Sequence, residues 1–462
     1  MAWPIMLGNL SFVIMDFVDK YIVSTLDKGQ PEPVHLAAIG SAGLWAYVLG
    51  IFFVGVAGCV STFVSQSFGK GEFENCSRYA WQGIYISLLT GLAVVAFLPF
   101  ARPFFERMGH GPEVTELELT YFRIRILGFV LVSCEVALAS FFQAIGRATL
   151  PMTSTIFANI VNIVLAYTLV LGHFGMPKMG IAGAALATLL ALLAQTLMLL
   201  GFFVSPRVNT IYRSRKTWRF QPGKAAELFR IGWASGASSF LDVAAWGIFT
   251  SFIVGGFGAV QLAAHVGSIN FMHLCFLPAM GLGMAMTPIV GQWIGRGDHD
   301  MARKRAITGV KIGMAIMTPI GIVLAVFGEQ LMHLFSDDPD VIWLGRRLLI
   351  LAAIFAGFDA ISIVLMGALR GAGDTRWVMW ALFIGAWVVN LPLALFFAHW
   401  LDYGALGAWY GATTYVIVLS GAFAWRFHRG AWRKINIFTS ENDATPAGAH
   451  TPIRTEAEAG SR

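Results

Sequence analysis

A chain of 462 residues that is 57% hydrophobic and 13% charged, with mean hydropathy +0.68, departs from soluble domains, which are about half apolar and a quarter charged, toward a polytopic membrane protein. The net charge of +6 does not point to nucleic acid, because the Lys and Arg lie in short loops between apolar runs, where they set topology. The four cysteines are scattered without CxxC, zinc or haem spacing, with Cys76 placed in a loop.

The first apolar run, Trp3 to Leu26, has neither a basic leader nor a small-residue cleavage site, and reads as a spanning helix rather than a signal peptide. Eleven more runs long enough to cross the roughly 30 Å hydrocarbon layer follow. The spans are 3–26, 36–65, 80–104, 119–143, 151–172, 181–204, 230–256, 262–292, 307–334, 346–369, 377–400 and 404–427. The second run, from LAAIG to SQSFGKGE, recurs as the eighth, from LAAHV to GQWIGRGD. Leu36 and Leu262, Gln66 and Gln292, and Gly71 and Gly297 all lie 226 residues apart. An offset of six spans brings both halves into the membrane from the same side, so the repeats are parallel, about an axis along the membrane normal. Loops after even-numbered spans carry the basic residues (Lys70, Arg78, Arg147, Arg207 to Arg230, Arg296 to Arg305, Arg370, Arg376). The opposite loops carry Glu113, Glu116, Glu118, Asp337, Asp338, Asp340 and Asp402. By the positive-inside rule both termini are cytoplasmic. The chain divides into an N-lobe, 1–205, a basic inter-lobe linker, 206–229, a C-lobe, 230–434, and a polar, disordered tail, 435–462.

Asp16 in the first span, Glu135 in the fourth, Asp242 in the seventh and Asp359 in the tenth sit near span centres, with Asp19 one turn beyond Asp16. A carboxylate facing lipid at the bilayer centre costs about 2.5–3.5 kcal/mol, so these acids must face protein or a wet cavity. Asp16 and Asp19 share a helix face at i, i+3, and two carboxylates close together share protons, the chemistry of a proton carrier. The alternative is pairing with Lys20 or capping. Asn159, Asn162, Asn270 and Asn390 place amides at membrane depth, where they either join helices or coordinate ions. Methionines and aromatics, including Phe355 one turn before Asp359, suit adaptable contacts with apolar and cationic ligands. No ATP, zinc or acyl-transfer motif is present, so energy must come from an ion gradient.

The stretches FVDKYIV, LAAIG with VSQSFGKGE, FFQAIGRATLP, NIVLAY with GIAGAALAT, SFLDVAAW, LAAHVGSIN with VGQWIGRGD, and FDAISIVLMGALRGAGDT carry a resemblance to the multidrug and toxic compound extrusion (MATE) family of secondary transporters over residues 4–430. The resemblance implies an all-α membrane protein whose twelve helices form two six-helix lobes in a V around a central cavity. It implies export of amphipathic organic cations or drugs in exchange for H⁺ or Na⁺ by alternating access, with no cofactor and no enzymatic activity. Carried over residue by residue, cation coupling falls to Asp19, Asn162 and Thr188 in the N-lobe and to Asp242 and Asp359 in the C-lobe, where the acids offer a Na⁺ site, with Asp16 added as the carboxylate partner of Asp19. The cavity is assigned Phe355, Asp359, Asp242, Glu135, Asn270 and Asn390. This sequence departs from the family where Asp242 replaces a Glu, Phe355 a Tyr, and Ala166 a polar residue. Each of the last two removes an oxygen, which favours protons over Na⁺, a hard cation needing several oxygens. The implied setting is a monomer in the bacterial inner membrane, touching lipids and small molecules and no nucleic acid.

Two other readings compete. A lipid-linked precursor flippase of the same superfamily would carry basic residues in its cavity, and no span centre carries Lys or Arg. An intramembrane enzyme would need a nucleophile–base pair or metal cluster at depth; His265 and His273 are the nearest candidates, and satisfied core histidines explain them more simply.

Overall fold

The structure is a computed structural model that describes residues 2–27 and 33–439. Helices α1 (Ala2–Ser24), α2 (Val34–Gly58), α3 (Val60–Lys70), α4 (Phe73–Val95), α5 (Leu98–Glu106), α6 (Pro112–Ala144), α7 (Thr149–Leu171) and α8 (Gly180–Phe203) form the first lobe. A short α9 (Pro206–Tyr212) leads to the second: α10 (Pro222–Ile248), α11 (Ala259–Gly295), α12 (His299–Val326) and α13 (Gly328–His333). It continues through α14 (Pro339–Gly371), α15 (Thr375–Phe383), α16 (Leu391–Leu395) and α17 (Gly404–Arg429). Segments Phe249–Val254, Ile384–Asn390 and Phe396–Trp400 are π-helical. Among the described residues, eleven stretches are long and apolar enough to span by themselves, and α4 with α5, bent by 44°, makes the twelfth.

The repeat read from sequence closes the molecule at the end that carries the basic loops. Gly71 and Gly297 end the two copies with φ of +81° and +79°, a left-handed turn that a side chain would strain. Just before them α3 and α11 cross almost backbone to backbone. A Cβ on Gly69 would lie 2.2 Å from Gln292 O, and one on Gly295 would lie 2.1 Å from Gln66 O. The glutamines reciprocate: Gln66 Nε2 donates to Gly371 O at 2.9 Å, and Gln292 Nε2 donates to Ala144 O at 2.7 Å. Thr62 Oγ1 adds a bond to Arg370 O at 2.9 Å. Further along the seam, Gly236 of α10 abuts Phe52 and Val56 of α2, and Gly281 of α11 abuts Met6 of α1.

One large apolar cluster fills the second lobe, running through Phe249, Leu348, Phe355, Trp409 and Phe423. The first lobe holds two. An inner one packs Phe63, Tyr79, Phe141 and Phe203; an outer one packs Phe105, Phe122, Phe129 and Ile181.

Three boundaries differ from the sequence reading. The linker does not run to residue 229, because Pro222 starts α10 and Leu228 is already buried core. The end of α9 and the irregular stretch after it are bound to α4: Ser77 Oγ donates to Tyr212 O at 2.6 Å, Trp81 Nε1 to Ser214 O at 2.8 Å, and Tyr85 OH to Trp218 O. Cys76 lies within α4 and is buried, not in a loop. The tail does not begin at 435. Residues Ile435 to Thr439 lie across both lobes as a strap, with Ile437 fully buried against Gly373. Phe438 meets the rings of Phe63 and Tyr79 at 5.9 Å each, with Lys70 Nζ 3.8 Å above it. Thr439 N and Oγ1 donate to Glu227 Oε1 at 2.6 and 2.9 Å. The rest of the tail, 440–462, lies outside the described residues.

Candidate functional sites within the two lobes

α1, α7 and α8 bring Asp19, Asn162 and Thr188 together inside the first lobe, where all three are buried. Asn162 Nδ2 donates to Asp19 Oδ2 and to Thr188 Oγ1, both at 3.3 Å. Thr188 Oγ1 lies 3.4 Å from Asp19 Oδ2 and 3.1 Å from Ala184 O, and its single hydrogen serves one of them at a time. Asp19 Oδ1 and Asn162 Oδ1 are buried acceptors that receive no donor among the described residues. Such spare acceptors in a dry site suit a proton or a small cation. Ala166, one turn along α7, is packed into the outer apolar cluster and offers no oxygen.

The carboxylate partner expected on α1 makes its direct contact elsewhere. Asp16 is half-exposed and pairs with Lys20 Nζ at 2.6 Å, because an i, i+4 contact on the outer face is available to it while Asp19 turns into the lobe. The charges that Asp19 feels are Arg125 of α6 and, across the helix, Asp16, and Tyr121 shares that neighbourhood. Arg125 lies within its span, contrary to the expectation that such positions lack basic residues, and its Nε is buried without a partner among the described residues. A single guanidinium set against a carboxylate does not make the basic cavity that pyrophosphate would require.

In the second lobe Asp359 of α14 is buried, with Oδ2 unpartnered among the described residues. It interacts electrostatically with Asp242 of α10, and both act on Tyr415 of α17. Asp242 and Asp359 thus form a second pair of carboxylates that act on one another, beside Asp16 and Asp19 on α1. Asp242 is partly exposed and also faces the half-exposed Tyr47 of α2 and Arg370 at the inner end of α14. Arg370 Nη2 donates to Ser238 Oγ at 3.1 Å.

The other expected cavity residues disperse. Phe355 is only 2% exposed, wedged between Trp246 and Phe276 with centroids at 6.3 and 5.8 Å, so it belongs to the core rather than a cavity wall. Asn270 is exposed and bonds back to Val266 O of its own helix. Asn390 is buried in the π-helical turn, its Oδ1 without a partner among the described residues. Glu135 lies between α6 and α8, where Gln195 Nε2 donates to its Oε1 at 3.1 Å. His265 is a satisfied core histidine: Trp409 Nε1 donates to Nδ1 at 3.0 Å, which leaves Nε2 to donate to Thr250 Oγ1 at 3.0 Å. His273 is not among its hydrogen-bond partners. Tyr415, Arg125 and Gln195 escaped the sequence reading because polar side chains at span positions do not show which neighbour they meet.

Twelve spans in two lobes, each with carboxylates in its interior, define a membrane transporter. The MatE family model matches residues 4–168 and 237–396, and the chain belongs to that family of transporters, not to an enzyme class. It is 29% identical over 439 residues to "Probable multidrug resistance protein NorM" of Geobacillus kaustophilus, covering 93% of this chain and 94% of the relative. The protein of the same name from Bradyrhizobium diazoefficiens is 28% identical, with 94% and 93% covered. The fold is shared with a MOP superfamily transporter of Pyrococcus furiosus at TM-score 0.84 and 20% identity, covering 94% of this chain and 96% of that one. It is also shared with the MATE transporter VcmN of Vibrio cholerae at 0.83 and 20%, covering 95% and 96%.

Proposed function

We propose that this protein is a multidrug efflux antiporter of the bacterial inner membrane that exports amphipathic organic cations against an inward flow of cations, both termini being cytoplasmic. The observation that carries the reading is the pairing of the Asp19–Asn162–Thr188 cradle in one lobe with Asp242 and Asp359 in the other, in lobes that meet at one end through close-packed glycines. Carboxylates inside the membrane without an ammonium or guanidinium hydrogen-bonded to them bind cations, and a seam made of backbone contacts between two lobes separates as a unit. The basic loops put that seam on the cytoplasmic side, so this conformation opens outward, and export follows when the seam parts and the outer ends close. The relatives' name as multidrug resistance proteins supports the substrate class.

Protons are the main coupling ion in this reading. Asp19 has two neutral polar partners and an alanine where a further oxygen would serve a metal cation, and Asp242 and Asp359 act on one another electrostatically, so that protonation of one favours ionisation of the other. Flux of ethidium into inverted proteoliposomes with ΔpH and ΔNa⁺ imposed separately tests this. ΔpH alone should drive uptake; uptake driven by ΔNa⁺ at zero ΔpH, and not by ΔpH, would assign the two spare acceptors of the cradle to Na⁺.

A further inference from the structure

The polar residues of α7 form one stripe. Thr155, Asn159 and Asn162 are spaced four and three apart and share a face. α8 meets them with Thr188 and Gln195, again seven residues apart. The Asp19 cradle uses only the outer member of each helix. Two turns deeper, about 10 Å along both, the same helices build a second polar set on Glu135 of α6: Gln195 Nε2 donates to Glu135 Oε1 at 3.1 Å and to Thr155 Oγ1 at 3.0 Å. Midway between the two sets, Asn159 Nδ2 donates to Ser11 Oγ of α1 at 2.5 Å.

An independent feature marks the same level. The apolar core of this lobe is divided there: on α6 the outer cluster ends at Phe129 and the inner one begins at Cys134, and on α8 they end and begin at Ala187 and Leu199. The main core of the second lobe is one large cluster, with a satellite of four residues, Ala279, Met317, Ala356 and Ala360, beside it. A lobe that gives up apolar packing across its middle loses burial energy, and the polar layer in its place calls for a use.

Among the described residues one neutral amide is the only hydrogen-bond donor to Glu135. The helices packed against it bring no counter-charge. α8 has no titratable residue, α7 has only Tyr167 near its outer end, and α2 has His35 and Tyr47 in its outer half. Of the inner-end groups, Lys70 of α3 covers the Phe438 ring, Arg78 of α4 pairs with Glu74, Cys76 of α4 reaches Val64 O, and Tyr79 and Tyr85 of α4 donate to Glu227 and Trp218 O. α11 touches α6 at Ala144. On α6 itself Arg125 lies ten residues outward, beside Asp19. The Gln195 amide nitrogen stands between Glu135 and Thr155, where a metal cation would have to sit, so the geometry favours a proton.

We propose that Glu135, held by Gln195 and Thr155, is a second proton-binding site of the first lobe, filled and emptied in the transport cycle and joined to the Asp19 cradle by the polar stripe of α7. The inference rests on proton-coupled export as read above. The experiment is calorimetric titration of ethidium into the full-length protein in nanodiscs, in two buffers of different ionisation enthalpy, which counts the protons released per ethidium bound. Glu135→Gln should lower that count by about one and weaken ethidium binding by about tenfold or more, since Gln mimics the protonated acid whose proton ethidium displaces and the coupling is reciprocal. Asp19→Asn should remove a separate proton, and the double variant both. An unchanged count in Glu135→Gln, with Asp19→Asn altered, overturns the role of Glu135 alone; a wild type that releases no proton overturns both this site and the proton reading. Where Glu135→Gln fails to fold, infrared difference spectra of ethidium-bound minus free protein decide the matter. Wild type should show a carboxyl band that moves in Gln195→Leu, and a band indifferent to Gln195 refutes the assignment.

Discussion

Replacing Gly69 by alanine sets two effects of opposite sign against each other. Gly69 lies inside α3, where alanine should stabilise the helix by about 1 kcal/mol. Its Cβ, however, would stand 2.2 Å from Gln292 O and 2.9 Å from the Cα of Gly295, about 1 Å inside tolerable contact. Both neighbours are backbone, so the lobes must part locally by that amount. The Gln66 and Gln292 bonds, now 2.9 and 2.7 Å, then stretch beyond useful length. Losing two hydrogen bonds at about 1 kcal/mol each, together with seam packing, costs about 2–4 kcal/mol. The net shift toward an open seam is about 1–3 kcal/mol, from fivefold to over a hundredfold in population. The assay is maleimide labelling of Ser65→Cys, a fully buried seam position, in a background without the four native cysteines. Gly58→Ala serves as the control, because a Cβ there meets nothing. Gly69→Ala should label faster from the basic-loop side and lose ethidium transport. If it labels and transports like Gly58→Ala, the seam is not the moving contact.

Other expectations follow from single contacts. Asp242→Asn and Asp359→Asn should abolish ethidium efflux from cells while membrane expression persists; efflux at the wild-type level would make these carboxylates structural. Impermeant thiol reagents added outside should reach cysteines at Glu116 and Asp338 but not at Arg215 or Lys304, and the reverse pattern would invert the proposed orientation. Trp409→Phe leaves His265 Nδ1 without its donor in a buried site and should cost about 1–3 kcal/mol of thermal stability. Its transport should keep the wild-type pH profile, and a shifted profile would give His265 a part in coupling.

The spans and their pairing into halves were legible because a hydrocarbon slab imposes length and apolarity on every helix, and because the repeated stretch kept its offset. Gln66 and Gln292 were visible in that repeat as matched letters; their reciprocal bonds were not, since those depend on how closely α3 and α11 cross. Asp19, Asn162 and Thr188 came through the family resemblance, and α1, α7 and α8 do converge on them. Asp16 was only half legible: sharing a helix face at i, i+3 leaves open which side of a boundary each residue takes, so Asp16 acts on Asp19 through space while its direct contact is Lys20. Phe355 misled: one turn from Asp359 along α14 was still far enough to enter the core. The seven-residue spacings on α7 and α8 stood in the sequence, but only packing shows that they face one another and Glu135. The tail boundary was misjudged because Ile435, Ile437 and Phe438 make too short an apolar run to register beside twelve spans.

That short strap bears on how the protein is handled in the laboratory. A reporter or affinity tag joined directly after Thr439 would hang from a splint whose Phe438 is seated on α3 and α4 and whose Ile437 lies against the α14–α15 turn. Pulling those two side chains out exposes apolar surface at a cost of about 1.5–3 kcal/mol for each one fully buried. A bulky fusion at that point would therefore load a contact that, in the proposed cycle, the lobes loosen to turn over. Tagged and untagged protein should be compared for turnover before either is taken as the reference, and a small fluorophore placed just past Thr439 becomes a sensor of lobe separation without any engineering of the membrane helices.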